Sequence, residues 1–326
     1  MMRLLYTCHQ RKRNKMTNLS KEILEARRSS ITGTDASIIL GVNPYESVID
    51  LWQRKMGLLP EKDLSSNPMV LAGRYLEDAV TKMFIDRTGK TVFKPGDMIF
   101  SSKYKFMSGN IDGKLPDENA IFEAKTARTD KGWGEQGVNV IPKHYLCQVA
   151  HYMALTDASH AYVAVLISGF DFRHYVIKRN EALESKLIEH EERFYVENMI
   201  KGEMPEPRNM QDVIIKYQNA TLKAPVDATD EIKHACKLMA EYKKTIKELE
   251  TNYEKYKNMV GKFMGQNESL VTTHGDILAT WKPTKGINKF DVKAFREENA
   301  ELYEKYLKLQ DGSRRFLLKG SKDDGI

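Results

Sequence analysis

The sequence predicts an α/β protein with a mixed central β-sheet flanked by helices and a helical C-terminal extension. Helical and strand-like stretches alternate from about Lys21 to Pro207, a pattern typical of a sheet covered by helices. The strand-like stretches are short, rich in β-branched and aromatic residues, and bounded by turn-forming residues. Beyond about Asn219 the chain becomes a long charged segment with helical periodicity. This change in composition predicts a second region.

The domain boundary is predicted at a segment that favours neither helix nor strand. Lys201–Met210 reads KGEMPEPRNM and contains two prolines and a glycine, residues that stop helices and suit a linker. We therefore divide the chain into a basic N-terminal tail at 1–20, an α/β domain at 21–210, and a helical C-terminal region with a small β-hairpin at 211–326. The tail is interpreted as a solvated end, an upstream start before Met16, or a DNA-contacting arm.

Charge and cysteine content restrict the class of protein. Lys and Arg outnumber Asp and Glu by 51 to 45, which is compatible with a polyanionic partner but does not require one. The cysteines Cys8, Cys147 and Cys236 are widely spaced and match no disulfide or zinc pattern. No apolar run reaches the ~18–20 residues of a membrane-spanning helix. We expect a cytoplasmic protein without a membrane partner.

The first half of the α/β domain is predicted to hold three helices that each end at a glycine, a common C-cap residue. They are Asp35–Leu40 before Gly41, Ser47–Met56 before Gly57, and Met69–Arg87 before Gly89. Short strand pieces follow at Thr91–Phe93 and Met98–Phe100. The next two strands are predicted at Met107–Asp112 and Ala120–Lys125, because the turn-forming Pro116, Asp117 and Asn119 lie between them within Gly113–Asn119.

The second half of the domain continues the alternation. Pro142 is expected to open a helix that runs to about Leu155. Two strands, Ala161–Ile167 and Phe172–Ile177, come next, and a further helix starts near Glu181.

The C-terminal region contains an uninterrupted heptad pattern. Apolar residues recur at spacings of three and four from Ile232 to Phe263, which is the a/d seam of a coiled coil. The seam is expected either to pack against a second helix of the same chain at Val292–Leu309 or to bind a partner or another copy. A small β-hairpin is predicted from Leu270–Thr273 and Ile277–Trp281.

The chemistry is predicted at the hairpin of the α/β domain. Asp112 ends one predicted strand and Glu123-Ala124-Lys125 ends the next. Residues i and i+2 of a strand share a face, so Glu123 and Lys125 project together while the small Ala124 leaves its carbonyl accessible. Carboxylates and a carbonyl suit a divalent cation that neutralises a phosphate and activates water. Taken alone, the pattern also fits a surface Glu–Lys pair of little consequence.

Further motifs accompany this pattern in a fixed order. They are Arg27-Arg28-Ser29-Ser30-Ile31-Thr32-Gly33-Thr34-Asp35, Gly73-Arg74-Tyr75-Leu76-Glu77, Ser108-Gly109-Asn110-Ile111-Asp112-Gly113, Phe122-Glu123-Ala124-Lys125-Thr126 and Gln148-Val149-Ala150-His151-Tyr152. Together they resemble the YqaJ and lambda-exonuclease group of phage recombination exonucleases, within the PD-(D/E)xK nuclease superfamily. The proline of that motif is absent, since Ile111 precedes Asp112. The resemblance implies a restriction-endonuclease-like core over 21–210.

The resemblance also implies roles for particular residues. Metal binding is implied for Glu77, Asp112, Glu123 and the Ala124 carbonyl, with one or two Mg²⁺ ions and Mn²⁺ as a substitute. Lys125 and Gln148 would orient or activate water. The terminal 5′ phosphate would be held by Arg27 and Thr34, with Arg28 competing for the arginine role. Tyr152 is a DNA-binding candidate that could equally pack in the core.

Three other residues are weighed for function. Trp133, on a Gly-flanked loop, is interpreted either as a side chain that stacks on a DNA base or as a loop anchor in the core. His144 and His151 could be general bases, but metal-dependent cleavage does not need one, and we expect both at the surface of their helix. For Thr34, a plain helix-capping role competes with phosphate binding, and for Glu77 an exposed position near Arg74 competes with metal binding.

The implied activity is digestion of duplex DNA from a 5′ end to leave a 3′ single strand for recombination. Implied partners are double-stranded DNA ends, a single-strand-annealing protein, and further copies of the chain in a ring, inside a bacterial or phage-infected cell. An endonuclease or nickase of the same superfamily is the first alternative. A DNA-binding accessory without activity is the second, although intact Asp112, Glu123 and Lys125 argue against it. A coiled-coil scaffold would explain only the C-terminal region.

Overall fold

A computed structural model describes residues 21–60, 64, 66–218, 224–309 and 314–319, and the predicted basic tail lies outside them. These residues form two compact units that divide between Tyr217 and Gln218. The sequence predicts this division after residue 210. Across the residues described, no helix is long and apolar enough to cross a membrane.

The first unit contains seven named α-helices and six β-strands within the described residues. The helices are α1 Lys21–Ser29, α2 Gly33–Ile39, α3 Val48–Lys55, α4 Pro68–Thr88, α5 Lys143–Thr156, α6 Glu181–Arg193 and α7 Met210–Tyr217, with a π-helical turn at Phe194–Ile200. The strands are β1 Ile99–Phe100, β2 Ser108–Gly109, β3 Gly113–Leu115, β4 Ala120–Ala127, β5 His160–Ile167 and β6 Asp171–Lys178.

The helix ends follow local capping chemistry. Ser47 accepts a hydrogen bond from the backbone of Asp50 and begins α3 as a capping box. Asn67 caps α4, whose first residue is a proline, and the helix ends where Gly89 adopts φ +68, a conformation open to glycine. The three glycine-terminated helices predicted from the sequence are thus confirmed, with bounds shifted by one or two residues.

The four main strands form a mixed sheet in the order β3-β4-β5-β6. Strands β4 and β5 are parallel, with Glu123 level with Val163, and α5 makes the crossover that a parallel pair requires. The other two pairings are antiparallel. Strands β1 and β2 pair separately. The mixed sheet flanked by helices that the sequence predicts is therefore confirmed.

The predicted hairpin before the site differs from the one observed. Asp112 does not end a strand paired with β4; instead β3 begins at Gly113, one residue later, and the turn covers only 116–119. Beyond this point the backbone N–H of Ala124 bonds to the side chain of Asp112 rather than to strand backbone, so the pairing with β4 ends at Gly113 and Phe122. Thr91–Phe93 also forms no strand, since Phe93 makes only an isolated bridge to Lys114.

Two buried clusters lie on the two faces of the sheet. On one face Phe122 and Ala164 pack against Val80 and Phe84 of α4. On the other, the β4 and β5 side chains pack with α2, α5 and α6 around Ile121, Val163, Val149, Ile38 and Leu187. Alternation along β4 therefore directs Phe122 and Ala124 toward α4, and Glu123 and Lys125 toward the α5 side.

The second unit is described separately. It contains α8 Asp230–Met264, the hairpin β7 Ser269–Val271 and β8 Ile277–Thr280, and the short helices α9 Val292–Glu298 and α10 Ala300–Tyr306. The continuous second helix expected at Val292–Leu309 is wrong, because the chain leaves helical geometry at Asn299, with φ −133 and ψ 52. The hairpin occurs where the sequence predicts it.

Candidate active site

The site is built on the middle of β4, where Glu123 is almost fully buried. Its Oε1 accepts hydrogen bonds from Nζ of Lys125 at 2.6 Å and from Nε2 of Gln148 at 2.9 Å. Lys125 and Glu123 alternate onto the same face of β4, and α5 carries Gln148 over that face. Three of the predicted site residues therefore meet through one carboxylate oxygen.

Asp112 lies beside the same stretch of β4, although its strand assignment was wrong. Its Oδ2 accepts a hydrogen bond from the backbone N–H of Ala124 at 2.9 Å. Strand β3 pairs with β4 only as far as Phe122, so Asp112 occupies the edge just beyond. The N–H and C=O of one strand residue point to the same side, which directs the Ala124 carbonyl to the edge that Asp112 occupies.

Burial and like charge act together on the two carboxyl groups. Burial raises the pKa of Glu123 to about 8, the charge of Asp112 adds to this rise, and Lys125 opposes it. Burial also raises the pKa of Asp112, while Lys125 opposes the change. The two carboxylates raise the pKa of Lys125 despite its own burial. A site that disfavours two adjacent negative charges is one that an added cation stabilises.

The donor set can be compared with what a divalent cation requires. Within the described part of the chain, no three His, Cys, Asp or Glu side chains are grouped as a ready-made ion cage. The second oxygen of Glu123, however, is buried, and no other described residue donates a hydrogen bond to it. A buried oxygen of this kind calls for a partner. Together with Asp112 and the Ala124 carbonyl, it makes an oxygen-only set that fits Mg²⁺.

Glu77 lies on α4 and is engaged by another partner. Its carboxylate forms an ion pair with Nζ of Lys94, and its charge contributes to the raised pKa values of Asp112 and Glu123. The helix that carries it approaches β4 from the Ala124 face, where Gly73 lies near Thr126. Glu77 is thus at the margin of the site, with its carboxylate turned to a lysine that the sequence analysis did not identify.

The first turn of α2 borders the site. A Cβ at Gly33 would lie 3.0 Å from Cγ of Gln148 and 2.6 Å from the ring of Tyr152, so the helix start presses on α5. Thr34, the next residue, is exposed there. Arg28 instead donates from Nε to the carbonyl of Lys55 at 3.1 Å, at the end of α3.

Beneath that turn lies a buried ion pair that the sequence analysis did not find. Nζ of Lys55 contacts Oδ2 of Asp35 at 2.6 Å and donates to the carbonyls of Arg27 and Ser30. Burial alone would raise the pKa of Asp35, but the charges of Lys55 and Arg54 lower it to about 2. Asp35 also closes the capping box of α2, since its carboxylate accepts from the Thr32 backbone. The cap residue is Thr32, so the capping alternative for Thr34 is wrong. The only signal for Lys55 in the sequence is its place near the end of a predicted helix.

Two aromatic DNA-binding candidates are buried. The Trp133 ring packs against Tyr145 and Tyr175 and is only 8% exposed, which corresponds to the loop-anchor alternative. Tyr152 lies against Gly33 and Gly109, and its hydroxyl accepts from Gln148 Nε2 at 3.3 Å. Tyr152 therefore helps to hold the Gln148 side chain in place.

The expectation that both histidines lie at the helix surface is wrong for His151. This side chain is fully buried, and its ring nitrogens contact Oε1 of Glu191 at 2.9 Å and the carbonyl of Ser108 at 3.0 Å. The local sequence does not predict this burial, because the carboxylate that pairs with His151 belongs to Glu191 on α6, 40 residues later in the chain. His144 is half-buried, and burial together with Lys125 lowers its pKa.

The fold and the site define an α/β protein in which an acidic residue and a Glu-x-Lys pair are grouped at one strand of a mixed sheet. A family model for the YqaJ-like viral recombinase domain matches residues 22–159. The protein YqaJ of Bacillus subtilis (strain 168) is 30% identical over 306 residues, which cover 91% of this chain and 93% of that protein. The chain belongs to the YqaJ-like viral recombinase family.

Two solved structures are also similar. The alkaline exonuclease LHK-Exo from Laribacter hongkongensis aligns with a TM-score of 0.44 at 17% identity, covering 56% of this chain and 94% of that one. A phage-related exonuclease from Haemophilus somnus 129PT aligns with a TM-score of 0.41 at 13% identity, covering 53% and 96%.

Proposed function

We propose that this protein is a Mg²⁺-dependent exonuclease that digests duplex DNA from the 5′ end and leaves a 3′ single strand for phage-type recombination. The observation that carries the proposal is the buried carboxylate of Glu123, which is held by Lys125 and Gln148 and lies beside Asp112. Membership of the viral recombinase family supports a role in recombination.

In this proposal Asp112, Glu123 and the Ala124 carbonyl hold the metal, with Mn²⁺ as a substitute for Mg²⁺. Glu77 would join them, in a one-ion or a two-ion site, after leaving Lys94. The bound cation supplies Lewis-acid stabilisation of the phosphate and lowers the pKa of water. A bound cation would offset the cost of burying the carboxylates of Asp112 and Glu123, because burial raises the pKa of both groups.

Lys125 and Gln148 are proposed as the water-orienting groups. Both donate to Oε1 of Glu123, so a water bound beside that carboxylate meets an ammonium and an amide already aligned. Lys125 also lies 4.9 Å from the ring centroid of Tyr145, which limits its movement through a cation–π contact. Such preorganised donors contribute most where charge develops during the reaction.

The first turn of α2 is proposed as the place of the terminal 5′ phosphate. Thr34 is exposed at this helix start, and a Cβ on the neighbouring Gly33 would lie 3.0 Å from Cγ of Gln148, the residue that bonds to Glu123. Helix starts and arginines favour phosphate oxygens, and Arg27 remains the arginine proposed here because Arg28 donates to the end of α3. We further propose that the protein acts in the cytoplasm on the ends of double-stranded DNA. Its proposed partners are a single-strand-annealing protein and further copies of the chain, which would assemble into a ring.

The test compares three substrates: linear duplex DNA with a 5′ phosphate, the same duplex with a 5′ hydroxyl, and a covalently closed circle. Each is incubated with Mg²⁺ and with EDTA. The proposal expects Mg²⁺-dependent loss of linear DNA only, slower without the 5′ phosphate, with 3′ strands accumulating. Equal cutting of the circle would instead identify an endonuclease, and no cutting of any substrate would identify a binding protein.

A further inference from the structure

The long helix α8 presents a continuous apolar seam to solvent. Positions 232, 239, 246, 253 and 260 recur every seven residues, and so do 235, 242, 249, 256 and 263. Eight large side chains of this seam are exposed, from 43% for Met239 to 79% for Phe263. A strict seven-residue repeat is the signature of a helix that winds around a partner helix.

Among the described residues of the second unit, the β7–β8 hairpin approaches only the C-terminal end of this seam. There Trp281 lies near Gly261, Val260 is half-buried and Met264 is buried. Phe263 and the seam residues before Val260 stay exposed. Exposed apolar area of this extent marks an interaction surface.

The residues that flank the seam indicate the occupant. With a at Ile232 and d at Ala235, the charged residues at the e positions are Lys243, Glu250 and Lys257, whereas the g positions after Glu231 are uncharged. Residues at e and g set the orientation of paired helices. In a parallel in-register pair each g residue faces an e residue of the other helix, five positions on, and no such pair combines opposite charges.

An antiparallel pair with full overlap has a different outcome, because e then faces e and g faces g. One such overlap places Ile232 opposite Phe263 of the other helix, so that the residue numbers of every facing a and d pair sum to 495. In this overlap Lys243 of each helix faces Glu250 of the other, which gives two ion pairs and no repulsion. Leu238 and Met259 at g face each other and extend the apolar seam. If the overlap shifted by one heptad, so that the same residue numbers summed to 502, Glu250 of one helix would face Glu250 of the other and like charges would meet.

The core layers of this arrangement are also complementary. Each aromatic d residue but one meets an aliphatic a residue, whereas a parallel pair would stack every tyrosine on its own copy. The facing pairs are Ile232 with Phe263, Met239 with Tyr256, Ile246 with Leu249, Tyr253 with Tyr242, and Val260 with Ala235. Alternating large and small residues across layers fill a core at native density.

We propose that α8 pairs with α8 of a second copy as an antiparallel coiled coil. Charge complementarity and layer packing both select this orientation, and the length of the helix, 35 residues, is ample for a stable pair. This pairing is independent of the nuclease activity and of any contact between the α/β domains.

Site-directed cross-linking of the full-length protein tests the orientation. In a Cys8→Ser/Cys236→Ser background, which leaves only the buried Cys147, tagged Lys243→Cys is mixed with untagged Glu250→Cys and treated with a short bismaleimide. The mixed dimer should exceed that from Thr245→Cys with Glu250→Cys, the parallel g–e pair, by at least about tenfold, since neighbouring thiols have a high effective concentration. Preferential cross-linking of the second mixture, or equal yields from both, would overturn the proposal.

Charge reversal provides a second test that leaves the core unchanged. Lys243→Glu places glutamates opposite each other twice and should weaken self-association in sedimentation roughly tenfold, and Lys243→Glu/Glu250→Lys should restore it. Lys247→Glu makes the same charge change at an exposed b position and should have no effect. Failure of the double variant to restore association, or an equal effect of Lys247→Glu, would overturn the antiparallel pairing of α8.

Discussion

The side-chain amide nitrogen of Gln148 lies 2.9 Å from Oε1 of Glu123, so helix α5 holds the carboxylate of strand β4. The same amide donates to the hydroxyl of Tyr152 one turn later. Because the crossover helix of a parallel pair lies over those strands, this bond joins two segments 25 residues apart in the chain. The orientation of Glu123 is therefore a property of the fold.

Gln148→Ala is expected to lower nuclease activity by about 10–100-fold, the usual cost of losing a group that orients a metal ligand. The decrease should appear in initial rates on linear DNA, with the thermal unfolding midpoint nearly unchanged. Gln136→Ala is the matched control, since the side-chain hydrogen bonds of Gln136 to described residues all go to His174 at the far sheet edge. Equal effects of the two substitutions would refute the role of Gln148.

Mg²⁺ should raise the unfolding temperature of the wild-type protein. A ligand that binds only the folded state adds about 2.7 kcal/mol at a concentration of about 100 Kd. Asp112→Asn should remove this increase, because one of the proposed ligands is lost. Asp117→Asn changes an exposed aspartate in the adjacent β3–β4 turn and should keep it. An unchanged Mg²⁺ effect in Asp112→Asn, measured by differential scanning fluorimetry, would exclude Asp112 as a ligand.

Gly109→Ala should destabilise the protein by about 1–3 kcal/mol, the usual cost of overpacking. The new Cβ would lie 2.6 Å from Cε1 of Tyr152, and a displaced Tyr152 would release Gln148. Gly73→Ala is the control, because its nearest neighbour, Oγ1 of Thr126, is 3.7 Å away, and alanine in a helix gains ~0.5–1 kcal/mol. Urea unfolding measures both values. Equal stabilities would contradict the close packing around Tyr152.

The Asp35–Lys55 pair should make stability depend on pH in acid. The pKa of Asp35 is about 2 in the folded protein, below its ordinary 3.8, so its contribution is present above about pH 4 and is lost as the pH falls toward 2. The contribution is about 2 kcal/mol. Urea unfolding of the wild type and Asp35→Asn over this range should show a shallower pH slope in the variant. Parallel slopes would contradict the shift.

The sequence predicted much of this architecture because its signals are local. Glycine C-caps and capping residues determine where α3 and α4 begin and end, and the i, i+2 geometry of a strand brings Glu123 and Lys125 together. The order of the motifs along the chain also predicts Gln148 and Asp112 as site residues.

The parts that the sequence did not predict depend on contacts between distant segments. His151 is buried only because Glu191 lies opposite it 40 residues later. Lys55 appeared to be an ordinary residue near a helix end, and its partner Asp35 is 20 residues away. Strand β3 begins only at Gly113 because the next backbone N–H of β4, that of Ala124, bonds to the Asp112 side chain, a contact that turn propensity does not contain.

The most direct test of the account measures degradation of 5′-phosphorylated linear DNA by Glu123→Gln, which keeps the size of the side chain and removes its charge. With Mg²⁺ present, the rate should fall by roughly 10³-fold or more, because several kcal/mol of metal-dependent stabilisation are lost. Glu118→Gln, at the turn before β4, should retain activity close to wild type. Activity of Glu123→Gln within a few-fold of wild type would contradict the central claim that this carboxylate forms the metal-dependent site.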